Sequence, residues 1–264
     1  MTNIDRCIQV EGDPVIYRVR GTERVGYRSW GEYEADGKPP VTAASEGERD
    51  QYELVAYFAD EFEHLGKASA AKALITRWKL SRFPSVEDLL AASLSVSQGD
   101  LYLEFGILSG KTVNVIASQV GGRPVYGFDS FEGLPENWGP GFRKGAFKTN
   151  KLPIVLPNVQ VVPGWFEEVL PQFLGEHAGQ VAFVHIDSDV YSSARYVLAT
   201  LAGAGRLSKG TVIQFDEIFA VKGALWYRSE YDAFREFKEE YKLRYHWLGY
   251  AGEAAALCIE RLKC

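Results

Sequence analysis

The spacing of apolar residues changes character about a third of the way along the chain. Up to residue 47, short apolar stretches alternate with polar turns and end in Gly37-Lys38-Pro39-Pro40, a combination that predicts irregular connection. From Glu48 onward, Tyr52, Val55, Ala56, Ala59 and Phe62 follow helical spacing, with Gly66 where a helix C-cap belongs. A second helix is predicted over residues 68–80, and Ser85 followed by Asp88 opens a third in the manner of a capping box. Three helices are thus expected before the first strand.

Beyond residue 98 short apolar runs alternate with helical stretches. LYLEFGI, PVYGFD, VQVVPG, VAFVHID and TVIQFD read as strands, and helices open at Gly110, Trp165 and Val190. Strands separated by helices imply right-handed parallel crossovers and a sheet covered on both faces. LRYHWLGY and AAALCIE follow one another across residues 251–253, too short a link for a parallel crossover, so they predict an antiparallel hairpin. The expected fold is α/β: a doubly wound, Rossmann-like, mostly parallel seven-stranded sheet with a C-terminal antiparallel hairpin and an N-terminal helical extension. Residues 1–98 are expected to form that extension and residues 99–264 the core.

Composition narrows the partners. The 264 residues, 46% of them hydrophobic, suffice for one large α/β domain with an extension. A net charge of −6 with scattered Lys and Arg offers no basic field for a phosphate backbone, so nucleic acid is not an expected partner. Cys7, Cys258 and Cys264 share no close metal-ligand spacing and read as ordinary thiols. No segment reaches the ~20 apolar residues of a membrane span and the N-terminus lacks a signal-peptide layout, so a cytoplasmic protein without a membrane partner is expected.

Ligands of open α/β sheets bind beyond the carboxyl ends of the strands, so the residues closing each strand carry the chemistry. They are Glu104 with Gly106, then Asp129, Gly164, Asp187 and Asp216. Glycines between Glu104 and Thr112 let backbone approach a ligand, or simply make a tight βα turn. The segment is neither GxGxxG nor a Walker A loop, since GILSGKT is one residue short. Asp129, one βα unit later, can accept hydrogen bonds from ribose hydroxyls or serve as an exposed cap. Together Glu104 and Asp129 fit a nucleoside ligand, without separating NAD from S-adenosylmethionine.

LEFGILSGKT, GFDSFEGLP, HIDSDVYSSA and VIQFDEIF resemble the sugar O-methyltransferases of macrolide and aminocoumarin biosynthesis, the macrocin O-methyltransferase family, over residues 99–220. The resemblance implies a class I methyltransferase with S-adenosylmethionine as cofactor. Glu104 and Gly106 would flank the methionine moiety, with Phe105 and Ser109 in the same loop. Asp129 would bind ribose, and Ser130 and Phe131 would lie near adenine. Gly164 and Trp165 would touch adenine too, a core tryptophan being the alternative. It also implies a divalent cation, usually magnesium, on Asp187, Asp216 and Glu217, where the family pattern has Asp-Asp in place of Asp216-Glu217. Hard oxygen ligands suit such a cation, which eases deprotonation of a hydroxyl.

Asp187 and Asp216 are the expected catalytic residues beside the cofactor. His185 is a candidate base or a hydrogen-bonded core group. Asp189 shares a face with Asp187 if the strand continues, or N-caps the helix near Val190. The acceptor, a small molecule with a hydroxyl on a sugar or a phenol, would be held by the N-terminal helices, the loop 135–156 and the segment 219–227. Trp138, Phe142, Phe147 and Trp226 supply aromatic surface there, as a lid or packed on the core. A homodimer through the N-terminal helices is compatible with the pattern. The rival readings are an NAD-type oxidoreductase, disfavoured by the missing GxGxxG, and a non-catalytic nucleotide-binding module, disfavoured by the crowded carboxylates.

Overall fold

The computed structural model describes residues 5–10, 16–20, 23–26, 41–44, 53–57, 75–76, 78–138, 142–219 and 230–263. The described residues up to 57 fall in one compact unit and those from 75 onward in another.

The first unit holds a five-stranded sheet in the order β4-β1-β2-β3-β5. Its strands are β1 (Asp5–Val10), β2 (Ile16–Arg20), β3 (Glu23–Gly26), β4 (Val41–Ala44) and β5 (Glu53–Tyr57). β1, β2 and β3 pair antiparallel, while β4 joins β1 and β5 joins β3 in parallel. This corrects the expectation of irregular connection up to residue 47 followed by a helix from Glu48. The helix predicted from Glu48 is a strand over Glu53–Tyr57, because Leu54, Val55 and Tyr57 suit a short strand as well as one helical turn. Of the second predicted helix, Ile75, Thr76 and Trp78 are helical. Gly66, the expected C-cap of the first predicted helix, lies outside the described residues.

The second unit follows the predicted alternation closely. In chain order it runs α1 (Val86–Val96), β6 (Leu101–Phe105), α2 (Lys111–Gln119), β7 (Val125–Asp129), β8 (Val159–Pro163), α3 (Phe166–Glu176) and β9 (Val181–Ile186). Then come α4 (Tyr191–Gly203), β10 (Val212–Phe215), α5 (Glu230–Glu240), β11 (Arg244–Ala251) and β12 (Ala254–Arg261). α1 begins as the capping signal predicts: Ser85 Oγ accepts the N–H of Asp88 at 3.0 Å and donates to the Asp88 carboxylate at 2.7 Å. α2 and α3 start at their predicted positions, with Gly110 and Trp165 as N-caps.

The sheet order is β11-β12-β10-β9-β6-β7-β8, with the five central and distal strands parallel and β12 antiparallel to both β10 and β11. The chain builds outward from β6 to β8, then returns to build outward on the other side through β9, so strand order reverses between β6 and β9. That reversal opens a crevice at the carboxyl ends of these two strands. β6 and β9 are buried along their whole length, which is why their sequences read as unbroken apolar runs interrupted only by Glu104 and His185. Phe105 stacks on Phe128 with ring centroids 4.6 Å apart, joining β6 to β7.

Candidate active site

Three hydrogen-bond systems shape the crevice. Gly106 has φ +94°, donates its N–H to Phe128 O at 2.8 Å, and sits so close to β9 that any Cβ would overlap the carbonyl oxygen of Asp187. Asp187 in turn donates its N–H to Phe105 O at 2.9 Å. Glycine is therefore required at this turn by space as well as by φ. Next, Asp129 gathers the loop: Oδ2 accepts the N–H groups of Ile107 (3.0 Å) and Leu108 (2.8 Å), and Oδ1 accepts that of Phe131 (2.7 Å). A carboxylate accepting three backbone amides is a rigid joint between two strand ends.

These joints surround a cavity of about 250 Å³. Its floor comes from the strand ends, with Gly106, Leu108, Asp129, Ser130, Asp187 and Ser188; Trp165, Phe166 and Glu167 come from the start of α3. The opposite wall is Gly133, Leu134, Pro135 and Phe147, with Asp189 and Ser193 closing the side at α4. Leu108, Phe147 and Asp189 are non-glycine lining residues at positive φ, between +35° and +67°. Left-handed backbone at such residues is strained and clusters where a site demands a particular shape.

Of the sequence-predicted cofactor residues, Gly106, Asp129, Ser130, Trp165 and Asp187 come together around this cavity. Glu104 and Phe105 are wholly buried in β6, and Phe131 is buried beside the loop. Ser109 is exposed, and Gly164 lies one residue before the lining at Trp165. Asp189 does not cap α4: the N-cap residue is Val190, and Asp189 turns back in left-handed conformation to line the cavity.

Behind the floor lies a buried polar row. Glu104, His185 and Gln214 are register partners across β6, β9 and β10. His185 Nδ1 is 3.0 Å from Glu104 Oε1, and Nε2 is 3.7 Å from Asp216 Oδ1, so the imidazole sits between two carboxylates. Gln214 Oε1 accepts the hydroxyl of Ser93 on α1 at 3.1 Å. Burial opposes the charged imidazolium, but attraction to Asp216 and Glu104 outweighs it and holds the His185 pKa well above its usual value. Burial pushes the Glu104 carboxyl up. Asp187 is raised well above the usual carboxylate range by burial first and by the negative charge of Asp216 second. Among the described residues, the ligating atoms of Glu104, His185 and Asp187 lie within 4.8 Å of one another, a group that does not include Asp216 or Glu217.

Sequence reasoning passed over Ser188, Phe166, Glu167 and Ser193, and it missed Glu230 altogether. Glu230 Oε1 accepts the N–H of Ser188 at 3.4 Å and Oε2 that of Glu217 at 3.1 Å. Helix α5, which carries it, announces itself through Ala233, Phe234 and Phe237, a buried set at helical spacing. In the loop 135–156, Trp138 packs with Leu134 against Val190, while Phe142 stacks on Phe147 with centroids 5.3 Å apart. The loop is thus both packed and cavity-lining. Trp226 lies outside the described residues, as do residues 220–225 and 227 of the segment expected to hold the acceptor; Phe219, at its start, is buried. No helix among the described residues is long and apolar enough to cross a membrane.

Residues 103–218 match a family of proteins described as a methyltransferase domain. No curated protein sequence matches the chain. Among solved structures, it is similar to a TDP-rhamnose 3'-O-methyltransferase of calicheamicin biosynthesis, at 21% identity over 66% of this chain and 77% of that one, with a TM-score of 0.45. An O-methyltransferase from Bacillus cereus in complex with SAH is similar at 16% identity, over 74% and 90% of the two chains, with a TM-score of 0.46. The O-methyltransferase TomG from Streptomyces achromogenes, in complex with SAM, is similar at 14% identity over 77% and 92%, with a TM-score of 0.46. The matched segment runs from Leu103, within β6, to just beyond β10 and so contains every strand end that forms the cavity floor. The part of the chain that forms the cavity floor is thus similar to a methyltransferase domain.

Proposed function

We propose that the chain transfers the methyl group of S-adenosylmethionine to a hydroxyl of a small acceptor such as a sugar or a phenol, with help from a divalent cation. The observation that carries this reading is the cavity at the strand-order reversal, floored by Gly106, Asp129, Ser130 and Asp187, inside the segment that matches the methyltransferase family. Gly106 and Leu108 offer backbone to the amino-acid end of the cofactor. Asp129, whose Oδ2 accepts two amides and Oδ1 one, keeps one acceptor site on Oδ1 for a ribose hydroxyl, and Trp165 supplies a flat apolar surface for adenine.

Transfer from a sulfonium needs an acceptor held in line and a place for its proton, since the cofactor carries the reactive group. Asp187 is the carboxylate of the pair that faces the cavity, where it is placed to receive the acceptor's proton. His185, wholly buried and outside the lining, acts behind the site by orienting Asp216. Asp187, Asp216 and Glu217 are the residues that would hold a magnesium ion. Hard carboxylate oxygens suit it, and the charge of Asp216 that raises the Asp187 pKa is the repulsion a cation relieves. Such an ion supplies charge that eases loss of the acceptor proton.

Calorimetric titration of the purified protein with S-adenosylmethionine, with NAD as comparison, tests the cofactor. Saturable binding of S-adenosylmethionine alone is expected, and binding of NAD alone, or of neither, overturns the reading. Full methylation in EDTA would remove the cation from it.

A further inference from the structure

An acid in the first turn of a helix ordinarily stabilises that helix's own free N–H groups. Glu230 opens α5 but spends its carboxylate elsewhere: at 1% exposure, its two oxygens reach one amide each on two other segments, Ser188 N–H and Glu217 N–H. Ser188 follows Asp187 beyond β9 and lines the cavity, and Glu217 follows Asp216 beyond β10. The amide of Asp216 donates to Ile186 O at 2.9 Å, so β9 and β10 are tied up to that point. Past it the ladder ends, and the Glu230 carboxylate bridges the two segments.

Burying a carboxylate beside Asp187, Asp216 and Glu217 is unfavourable, and two amide hydrogen bonds offset only part of that cost. An apolar residue would fill the space more cheaply, but only an acceptor with two equivalent oxygens satisfies both amides at once. We propose that Glu230 is a positioning residue, a clamp that holds the Asp187-Ser188 segment and the Asp216-Glu217 segment at the separation the reacting end of the site requires. The clamp rests on the assignment of Asp187, Asp216 and Glu217 to that end, yet its first signature does not depend on it.

That signature is amide exchange in the ligand-free full chain, followed by NMR. Glu230→Gln keeps the shape but replaces one accepting oxygen with a donor. It should speed exchange at Glu217 or Ser188 at least tenfold while Val184 and Ile186 in β9 stay as in wild type. Glu230→Asp keeps the charge but is one methylene shorter, and it should release the same amides. Wild-type exchange at both amides in either variant overturns the clamp, and so does acceleration shared by the whole of β9, which would report a general loss of fold. With saturating S-adenosylhomocysteine, Mn2+ affinity should drop at least tenfold in Glu230→Gln while the S-adenosylhomocysteine dissociation constant changes less than threefold. An unchanged Mn2+ affinity beside released amides overturns the positioning role. Absence of Mn2+ binding in wild type rejects the cation assignment instead, and the exchange arm then decides the clamp alone.

Discussion

Gly106 shows how one residue couples two strand ends. Its φ of +94° is strained for any L side chain, and a Cβ would meet backbone rather than a flexible side chain, so nothing can move aside cheaply. Gly106→Ala is expected to cost about 2–4 kcal/mol of stability, from backbone strain plus displacement of the Asp187 carbonyl. It should also weaken S-adenosylhomocysteine binding at least tenfold. A variant that melts like wild type and binds the ligand equally well would show that the turn has room to adapt. The residues of this turn were legible because strand-end carboxylates and glycines recur at the predicted βα junctions. What stayed hidden was the direction of each side chain. Glu104 and Asp187 both close strands, but Glu104 turns into the sheet toward His185 and Asp187 turns to the cavity. Periodicity places a residue near a strand end without saying whether the strand has already ended there.

At the level of elements, the seven strands and four of the five long helices of the second unit stand where the apolar pattern put them, since parallel crossovers leave runs too regular to misread. α5 escaped because Glu230–Glu240 is dominated by charged residues, and its apolar face is only Tyr231, Ala233, Phe234 and Phe237. β1 to β5 escaped for a different reason: they are as short as β6 to β10, but no alternation with helical stretches marks them out, and a window of four to six residues does not by itself separate a period of 2 from one of 3.6. The cap signal at Ser85 held, whereas the one offered at Asp189 did not. Ser85 at the start of α1 satisfies the Asp88 amide, and Ser85→Ala should cost about 1 kcal/mol. Thermal melting checks this, with an expected fall of about 2–4 °C for a unit of this size. An unchanged midpoint would mean that packing of Leu89, Leu90 and Leu94 alone holds the helix.

At the scale of the whole molecule, four buried titratable groups among the described residues act with one sign. Glu104, His185, Asp187 and Glu230 all have raised pKa values, so the folded chain binds protons more tightly than the unfolded one. Each contributes stability that is complete below its ordinary value, 4.5 for a glutamate and 6.5 for His185, and that is lost as pH rises through the raised value. In EDTA the melting midpoint should therefore fall as pH rises through neutrality, and a midpoint that climbs over that range would contradict the buried charge arrangement. Of these groups Glu104 and His185 lie within the sheet itself, wholly buried in β6 and β9, and that sheet is completed in a particular order. β12, the last of the described strands in chain order, lies inside it with β10 on one side and β11 on the other. During synthesis β10 must wait with an open edge until residues 254–261 arrive, so the molecule cannot complete its interior progressively from the N-terminus. Stalled or truncated chains ending before residue 254 would expose that edge, and they are the species most prone to pair with one another.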